Sequence, residues 1–333
     1  MTSRRHVRVL FTGGTISMRI DPATGAAMPA LSGEEIVSKV PGLKKEARLS
    51  LEDYARLPGP QVTPHWMWRL KDRVGEVLAD PAVDGVVLTH GTDTLEETAF
   101  LLDLTLDSVK PVVFCGAMRT VSEPGWDGPA NLLAAVRTAV HPASSGRGVL
   151  VTVGEEIHRA AEATKWHTQS LGAFRSPHGP LGVIDRGQVV YHRPPFRAAA
   201  LPARRLVSEV DLHTMAAGAD DALVRASLAR GARGLVIAAT GCGNVPPAVL
   251  PALRAALATR VPVVLVSRCA EGRLAPAYGY DGGGRMLKEM GVIFGQELPG
   301  PKARIKLMVA LGVSADPVDV RRMFEDEDAA ATA

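Results

Sequence analysis

Two glycines and a threonine follow the first apolar run of the chain. Thr12-Gly13-Gly14-Thr15-Ile16 comes directly after the predicted strand Val7–Phe11. In a parallel sheet, ligands bind beyond the carboxyl ends of the strands, so this segment lies where chemistry is expected. The glycines allow a sharp turn and bring backbone N–H groups close to a ligand, and Thr15 adds a free hydroxyl. A Gly-Gly pair alone is also typical of a plain strand-to-loop turn.

A hydroxyl and a carboxylate stand side by side in a second segment, His90-Gly91-Thr92-Asp93-Thr94. It follows the buried run Gly85–Thr89 and precedes a helical pattern, so it reaches the same edge of the sheet. The carboxylate of Asp93 can bind an ammonium group, and the hydroxyl of Thr92 can take part in proton transfer or attack. The alternative is N-capping of the helix by Asp93 or Thr94, for which one residue would be enough.

Lys165, in Ala163-Thr164-Lys165-Trp166, is a candidate base. A threonine hydroxyl is a poor nucleophile without a base, and a lysine desolvated in a pocket can have its pKa lowered enough to serve as one. Most lysines are instead solvated surface charges. The histidines have no metal-site spacing and are interpreted as structural or surface residues; they are His90, His158 and His167. We therefore expect neither a metal nor an organic cofactor.

Short apolar runs alternate with helical patterns in the first half of the chain and must position these segments. The predicted strands are Val7–Phe11, Gly85–Thr89, Pro111–Cys115 and Val149–Val153. The predicted helices lie near Ser32–Val40, Pro64–Leu78, Thr94–Leu106 and Pro129–Val140. The third helix begins with Thr94-x-x-Glu97, the pattern of a capping box. This alternation predicts a parallel sheet with helices on both faces.

A second α/β unit is predicted in the remainder of the chain. Its strands are predicted at 234–240 and 261–267 and its helices at 219–229 and 246–257, and Asp316-Pro317 opens a last helix. A Pro- and Arg-rich stretch lies between the two units, and its apolar residues show neither helical nor strand periodicity. We predict an α/β fold with a large doubly wound parallel-sheet N-terminal domain (1–190), a linker (191–205) and a smaller α/β C-terminal domain (206–333). The tail, Glu325–Ala333, has a disordered composition.

Charge and composition exclude several classes of partner. Of 333 residues, 46% are hydrophobic and 22% charged, which is typical of a soluble globular protein. The formal net charge is only +3 and the basic residues are scattered, so no nucleic-acid partner is expected.

Cys115, Cys242 and Cys269 are far apart and predict reduced thiols. No segment has transmembrane length or the core of a signal peptide, so we expect a cytoplasmic protein without a membrane partner.

The segments at Thr15 and Thr92 resemble the two signature motifs of the bacterial-type L-asparaginase/glutaminase family. The matching stretches are VLFTGGTIS at 9–17 and DGVVLTHGTDTLEETA at 84–99. The resemblance continues in the same order through KPVVFCGAMR at 110–119, DGPAN at 127–131, RGVLV at 147–151, Thr164-Lys165, GPLG at 179–182, GxGN at 241–244, Ser267-Arg268 and PKAR at 301–304. It therefore covers nearly the whole chain.

This resemblance implies a threonine amidohydrolase that converts L-asparagine to L-aspartate and ammonia through an acyl-enzyme. Thr15 matches the family's nucleophile, Thr92 its second catalytic threonine, and Lys165 the lysine of its threonine-lysine-aspartate set. Asp93 matches the residue that binds the substrate's α-amino group. The implied substrate-binding residues are Gly14, Gln61, Gly91, Asp93 and Ala117. The resemblance also implies a homodimer or homotetramer in which a neighbouring subunit completes the active site.

The chain also departs from the family pattern. Pro60 stands where a serine before Gln61 usually holds the substrate carboxylate, and the loop Met18–Leu31 lacks the family's tyrosine. Cys242 replaces an asparagine that a neighbouring subunit commonly contributes, and Arg273–Gly284 has no unambiguous counterpart of the cross-subunit glutamate. A glutaminase or an amidase for another small amide is therefore an alternative. Two others are a glutamine-hydrolysing component of a tRNA amidotransferase and a non-catalytic amino-acid sensor.

Overall fold

The computed structural model describes residues 4–325 and divides the chain into two compact units, Met1–Ala200 and Leu201–Ala333. The predicted disordered tail lies outside the described residues, except for Glu325, which ends the last helix. Residues 192–209 form no helix or strand. None of the helices within residues 4–325 combines the length and the apolar character needed to cross a membrane.

The first unit contains a large mixed sheet covered by helices. Its strands are β1 (His6–Gly13), β2 (Met18–Ile20), β3 (Ala27–Pro29), β4 (Arg48–Leu57), β5 (Gly85–Thr89), β6 (Val112–Cys115), β7 (Val149–Val153), β8 (Glu156–Arg159), β9 (Thr164–Lys165), β10 (Phe174–Arg175), β11 (Gly182–Asp185) and β12 (Gln188–Tyr191). Its helices are α1 (Gly33–Ser38), α2 (Leu43–Glu46), α3 (Pro64–Ala79), α4 (Leu95–Thr105) and α5 (Gly128–Val140). All the strands and helices predicted for this part are present, with ends shifted by a few residues.

Eight strands pair in the order β12-β11-β8-β7-β6-β5-β1-β4. The five from β4 to β7 are parallel, and β8, β11 and β12 add an antiparallel edge that the sequence analysis did not predict. Tight two-residue turns explain this edge, because Gly154-Glu155 and Arg186-Gly187 all have positive φ, as type I′ hairpin turns require. The fold is α/β with a parallel-rich sheet.

One face of the sheet packs against α5. Val9, Val87 and Val113, from neighbouring strands, share a buried core with Leu132 and Val136 of that helix. Helices α3 and α4 pack against each other and contact β5 and β7. Every residue of β5 and β6 is buried, and all of them except Thr89 are apolar, as the sequence predicted for strands covered on both faces. The sheet therefore fixes where β1, β5 and β6 end.

The start of α4 corrects one prediction. Thr94 is the N-cap residue, but its side chain makes no capping hydrogen bond. Its hydroxyl instead donates to the carbonyl of Gly59, at 2.9 Å. A capping box does occur at α1, where Ser32 and Glu35 exchange hydrogen bonds. Tertiary contact with the segment after β4 therefore replaces the local cap that the Thr94-x-x-Glu97 pattern predicted.

The second unit has a four-stranded parallel sheet, ordered β13-β14-β15-β16. Its strands are β13 (Val210–Thr214), β14 (Gly234–Ala239), β15 (Val263–Ser267) and β16 (Ile293–Phe294), and its helices are α6 (Ala222–Ala229), α7 (Leu250–Ala258), α8 (Gly284–Glu289), α9 (Gly300–Val313) and α10 (Pro317–Glu325). As predicted, Asp316 caps α10, accepting from the N–H of Val318 at 2.9 Å. Helix α9 was missed because it is buried on nearly all sides and has no polar face.

Candidate active site

The turn after β1 brings Thr15 to the carboxyl edge of the sheet. Phe11 pairs with Thr89 of the adjacent parallel strand, and Thr12 donates its hydroxyl to the carbonyl of Thr89 at 2.7 Å. Gly13 and Gly14 then turn the chain with φ values of 110° and 81°. Such values favour glycine, so the Gly-Gly pair is required by the backbone. Thr15, half-buried, begins a short 3-10 turn.

The segment after β5 packs directly against this turn. A Cβ atom added to Gly14 would lie 2.5 Å from the backbone nitrogen of Gly91. A Cβ atom added to Gly91 would in turn lie 2.7 Å from the nitrogen of Gly59. Three chain segments therefore meet backbone to backbone, and the structure places the predicted binding residues Gly14 and Gly91 in contact.

Lys165 joins Thr92 and Asp93. Its Nζ atom donates to Oγ1 of Thr92 at 2.9 Å and to Oδ1 of Asp93 at 2.6 Å. The lysine side chain is 16% exposed and that of Asp93 is 58% exposed, while Thr92 is buried. An ammonium group thus bridges a buried hydroxyl and a carboxylate that remains open to solvent. The N-capping interpretation of this segment is wrong. Thr94, the N-cap residue of α4, makes no capping hydrogen bond with its side chain, and the carboxylate of Asp93 accepts from Lys165 instead.

A buried histidine lies beneath the Thr92 segment. The Nδ1 atom of His90 lies 2.9 Å from the carbonyl oxygen of Gly91, and Nε2 lies 3.0 Å from Oγ1 of Thr98. Its ring packs edge-on between Trp66 and Phe114, with centroids 5.9 Å from each. Complete burial lowers the pKa of His90 to about 4. His90 is therefore a structural residue, as the sequence analysis interpreted it.

The loop after β6 carries Ala117 and is held from α5. The carboxylate of Asp127 accepts the backbone N–H groups of Met118 and Arg119, both at 2.9 Å. Asn131 donates to the carbonyl of Gly116 at 2.9 Å. A Cβ atom added to Gly116 would lie 2.9 Å from Cγ2 of Thr92. The buried Ala117 therefore follows a residue that touches the Thr92 segment.

Gln61 lies in the third segment of this junction. The turn Gly59–Gln61 packs against Asp93, because a Cβ atom added to Gly59 would lie 3.2 Å from the Cβ atom of Asp93. Gln61 itself is exposed. The loop that lacks a tyrosine forms the antiparallel hairpin β2–β3, with Met28 exposed. Among residues 4–325, no group of three or more His, Cys, Asp or Glu side chains could hold a metal ion.

The sequence analysis did not identify three residues that hold the site's segments in place by hydrogen bonds. Asp127 and Asn131 belong to the DGPAN stretch, and Glu96 accepts the backbone N–H of Lys165 at 2.5 Å. The DGPAN match was a signal for the first pair. For Glu96 the local pattern carried no signal, because its partner is 69 residues away.

Known asparaginases match this chain over nearly its full length. Residues 6–197 match the family description "Asparaginase, N-terminal", and residues 209–324 match "Glutaminase/Asparaginase C-terminal domain". A probable L-asparaginase of Deinococcus radiodurans is 40% identical, over 95% of this chain and 96% of that protein. L-asparaginase 2 of Escherichia coli K12 is 34% identical, over 96% of this chain and 92% of that protein.

A solved structure agrees as well. The crystal structure of a probable cytoplasmic L-asparaginase from Campylobacter jejuni superposes with a TM-score of 0.86 at 30% identity, over 96% of this chain and 99% of that one. Family matches to both parts of the chain, relatives above 30% identity and a shared two-part fold lead to one conclusion. The chain belongs to the bacterial-type L-asparaginase family of amidohydrolases.

Proposed function

We propose that this chain hydrolyses the side-chain amide of L-asparagine to L-aspartate and ammonia through an acyl-enzyme on Thr15. The observation that carries the proposal is the contact of Lys165 with both Thr92 and Asp93, beside the turn that presents Thr15. The three relatives compared above are named as L-asparaginases or probable L-asparaginases, and these names support the choice of substrate.

Substrate orientation falls to Asp93. Its carboxylate is more than half exposed, so it can pair with the α-ammonium group of the substrate while one oxygen stays on Lys165. That pairing sets the side-chain amide over the turn Gly14–Thr15. Gln61, at the rim beside Gly59, and the backbone at Ala117 complete the proposed binding surface.

In the first half-reaction, the Oγ atom of Thr15 attacks the amide carbon. Backbone N–H groups of the Thr15 turn and of the Thr92 segment stabilise the oxyanion. The C–N bond then breaks, and the proton lost by Thr15 leaves on ammonia. An ester between Thr15 and the aspartyl group remains.

In the second half-reaction, water hydrolyses that ester. The hydroxyl of Thr92, hydrogen-bonded to Nζ of Lys165, relays the proton from the attacking water to the departing Thr15 oxygen. Aspartate is released and Thr15 regains its hydroxyl. This division of labour requires two different threonines, one covalent and one in proton transfer.

Ammonia release from asparagine tests the proposal. We expect Thr15→Ala and Thr92→Ala each to lower turnover by roughly 100-fold or more. Thr105→Ala is the matched control, because this half-buried threonine lies at the far end of α4 and bonds only within the helix. Rapid quench with mass spectrometry should detect an aspartyl adduct on the Thr15 peptide. Near-normal turnover of Thr15→Ala would rule out the mechanism.

The same assay separates the alternatives. Glutamine, D-asparagine and simple amides are run beside asparagine, because one matched family description also names glutaminase. Faster turnover of another amide would change the substrate assignment. Calorimetric binding of asparagine without ammonia release from any amide would instead favour an amino-acid sensor.

The assembly and location are also proposals. We propose a homodimer or homotetramer in which a neighbouring subunit completes the site, as in the family pattern, and analytical ultracentrifugation at assay concentration tests it. We propose a cytoplasmic location, supported by the Campylobacter jejuni protein that is described as cytoplasmic. Cell fractionation with a tagged chain tests the location.

A further inference from the structure

We infer that Glu96 is a positioning residue, whose buried carboxylate holds the main chain of Lys165 so that the lysine's ammonium group meets Thr92 and Asp93. The Oε2 atom of Glu96 accepts the backbone N–H of Lys165 at 2.5 Å. Glu96 is only 8% exposed, which is unusual for a glutamate on a helix. The inference rests on the proposed roles of Thr92, Asp93 and Lys165.

One short stretch therefore holds Lys165 at both ends. Thr92 and Asp93 contact its Nζ atom, and Glu96, in the first turn of α4, holds its backbone nitrogen. All three residues follow β5, whose position is fixed by pairing with β1 and β6. Both the Nζ atom and the backbone nitrogen of Lys165 are therefore held by residues of the same segment after β5.

The strand that carries Lys165 needs such a hold. β9 has two residues and pairs only with the two residues of β10. A two-stranded ribbon of this length is marginally stable by itself. Lysine also has a long, flexible side chain that loses much rotamer freedom when ordered. A fixed main chain reduces the positions that Nζ can sample, so the contact with Thr92 is formed before substrate arrives.

The charge of Glu96 suits this role. A hydrogen bond from N–H to a carboxylate is shorter and stronger than one to a neutral oxygen. The first turn of a helix also stabilises negative charge through the helix dipole. An amide in place of the carboxylate would keep an acceptor oxygen but lose the charge, which separates geometry from charge experimentally.

Three variants test the inference: Glu96→Ala, Glu96→Gln and, as control, Glu97→Ala. Glu97 is the next residue in the same helical turn, so the control matches the loss of helix-dipole charge. We expect Glu96→Ala to lower kcat at least tenfold with a smaller change in KM. Glu96→Gln should retain several times more activity than Glu96→Ala, and Glu97→Ala should stay within about twofold of the parent.

A second readout does not depend on turnover. Brief amine labelling followed by peptide mass spectrometry measures how well Nζ of Lys165 is held. We expect labelling of Lys165 to rise severalfold in Glu96→Ala and to stay unchanged in Glu97→Ala. If Glu96→Ala does not fold, Glu96→Gln, which keeps the shape, carries both measurements and should show smaller changes in the same direction.

Two results would overturn the inference: unchanged labelling of Lys165 in a folded Glu96→Ala variant, or a parent-like kcat in that variant. Absence of ammonia release from the parent chain is a separate outcome, since it would refute the proposed function. The labelling arm would then still decide whether Glu96 holds Lys165.

Discussion

Gly14 and Gly91 touch backbone to backbone where β1 and β5 end. The Cβ atom that any other residue would place at position 14 would lie 2.5 Å from the backbone nitrogen of Gly91 and 2.7 Å from the carbonyl carbon of His90. Real Cβ atoms do not approach backbone so closely. The Thr15 turn and the Thr92 segment can therefore approach this closely only because Gly14 has no Cβ atom.

Replacing Gly14 by alanine should separate the two segments. We expect Gly14→Ala to lower ammonia release by at least tenfold and the free energy of unfolding by about 3 kcal/mol, from strained backbone plus overpacking. Gly25→Ala is the control, because Gly25 also has positive φ (67°) but no atom within 4 Å of an added Cβ. It should cost about 1 kcal/mol and leave turnover unchanged. Urea unfolding and the ammonia assay measure both; equal effects of the two substitutions would contradict the steric argument.

His90 predicts acid sensitivity of the fold. Burial lowers its pKa in the folded state to about 4 from an ordinary 6.5. Between these two pH values, the unfolded chain therefore binds a proton at His90 that the folded chain does not bind. The stabilisation is fully present above about pH 6.5 and is lost as pH falls toward 4, by about 3 kcal/mol at most.

Urea unfolding between pH 7 and pH 4.5 tests this linkage. His90→Gln removes the titrating group and keeps hydrogen-bonding atoms, so its free energy of unfolding should fall less steeply with acid. His167→Gln, at an exposed position, is the control and should follow the parent. Parallel slopes for the parent and His90→Gln would refute the assignment.

Asp127 should be needed for activity through the Ala117 loop. Both of its carboxylate oxygens accept N–H groups, so in Asp127→Asn the new amide nitrogen must face a donor. We expect a loss of about 2 kcal/mol in the free energy of unfolding and at least tenfold in turnover. Asp103→Asn is the comparison, because Asp103 also accepts a backbone N–H, from Val149 at the start of β7. Asp103→Asn should lower the free energy of unfolding but leave turnover unchanged at temperatures where the variant stays folded.

The three thiols should react very differently. Burial raises the pKa of Cys115 to about 12, while Cys269 is exposed and Cys242 half-buried. The thiolate is the reactive form, so native protein treated with iodoacetamide at pH 8 should be alkylated at Cys269 first and not at Cys115. Peptide mapping gives the order, and urea should equalise the rates. Early labelling of Cys115 would show that β6 opens in the native state.

Much of the fold was predictable because local patterns agree with it. β5 and β6 are buried and almost wholly apolar, and the Gly-Gly turn and the Thr92-Asp93 pair lie where β1 and β5 end. Parallel strands share one carboxyl edge, so strand assignment alone predicted that Thr15 and Thr92 lie at the same edge. Periodicity and capping also predicted β14, β15, α6, α7 and the start of α10, whereas β4, the antiparallel edge, β13, β16, α8 and α9 were not predicted.

Other features were decided only in three dimensions. The Nζ atom of Lys165 reaches a hydroxyl 73 residues earlier, Glu96 holds the same lysine, and Thr94 gives its hydroxyl to Gly59 instead of capping its own helix. Each of these hydrogen bonds joins residues that are far apart in the sequence and become neighbours only in the folded chain. Local propensity carries no information about such pairs, because the free energy that selects them comes from the packed environment and not from the residues' own backbone preferences.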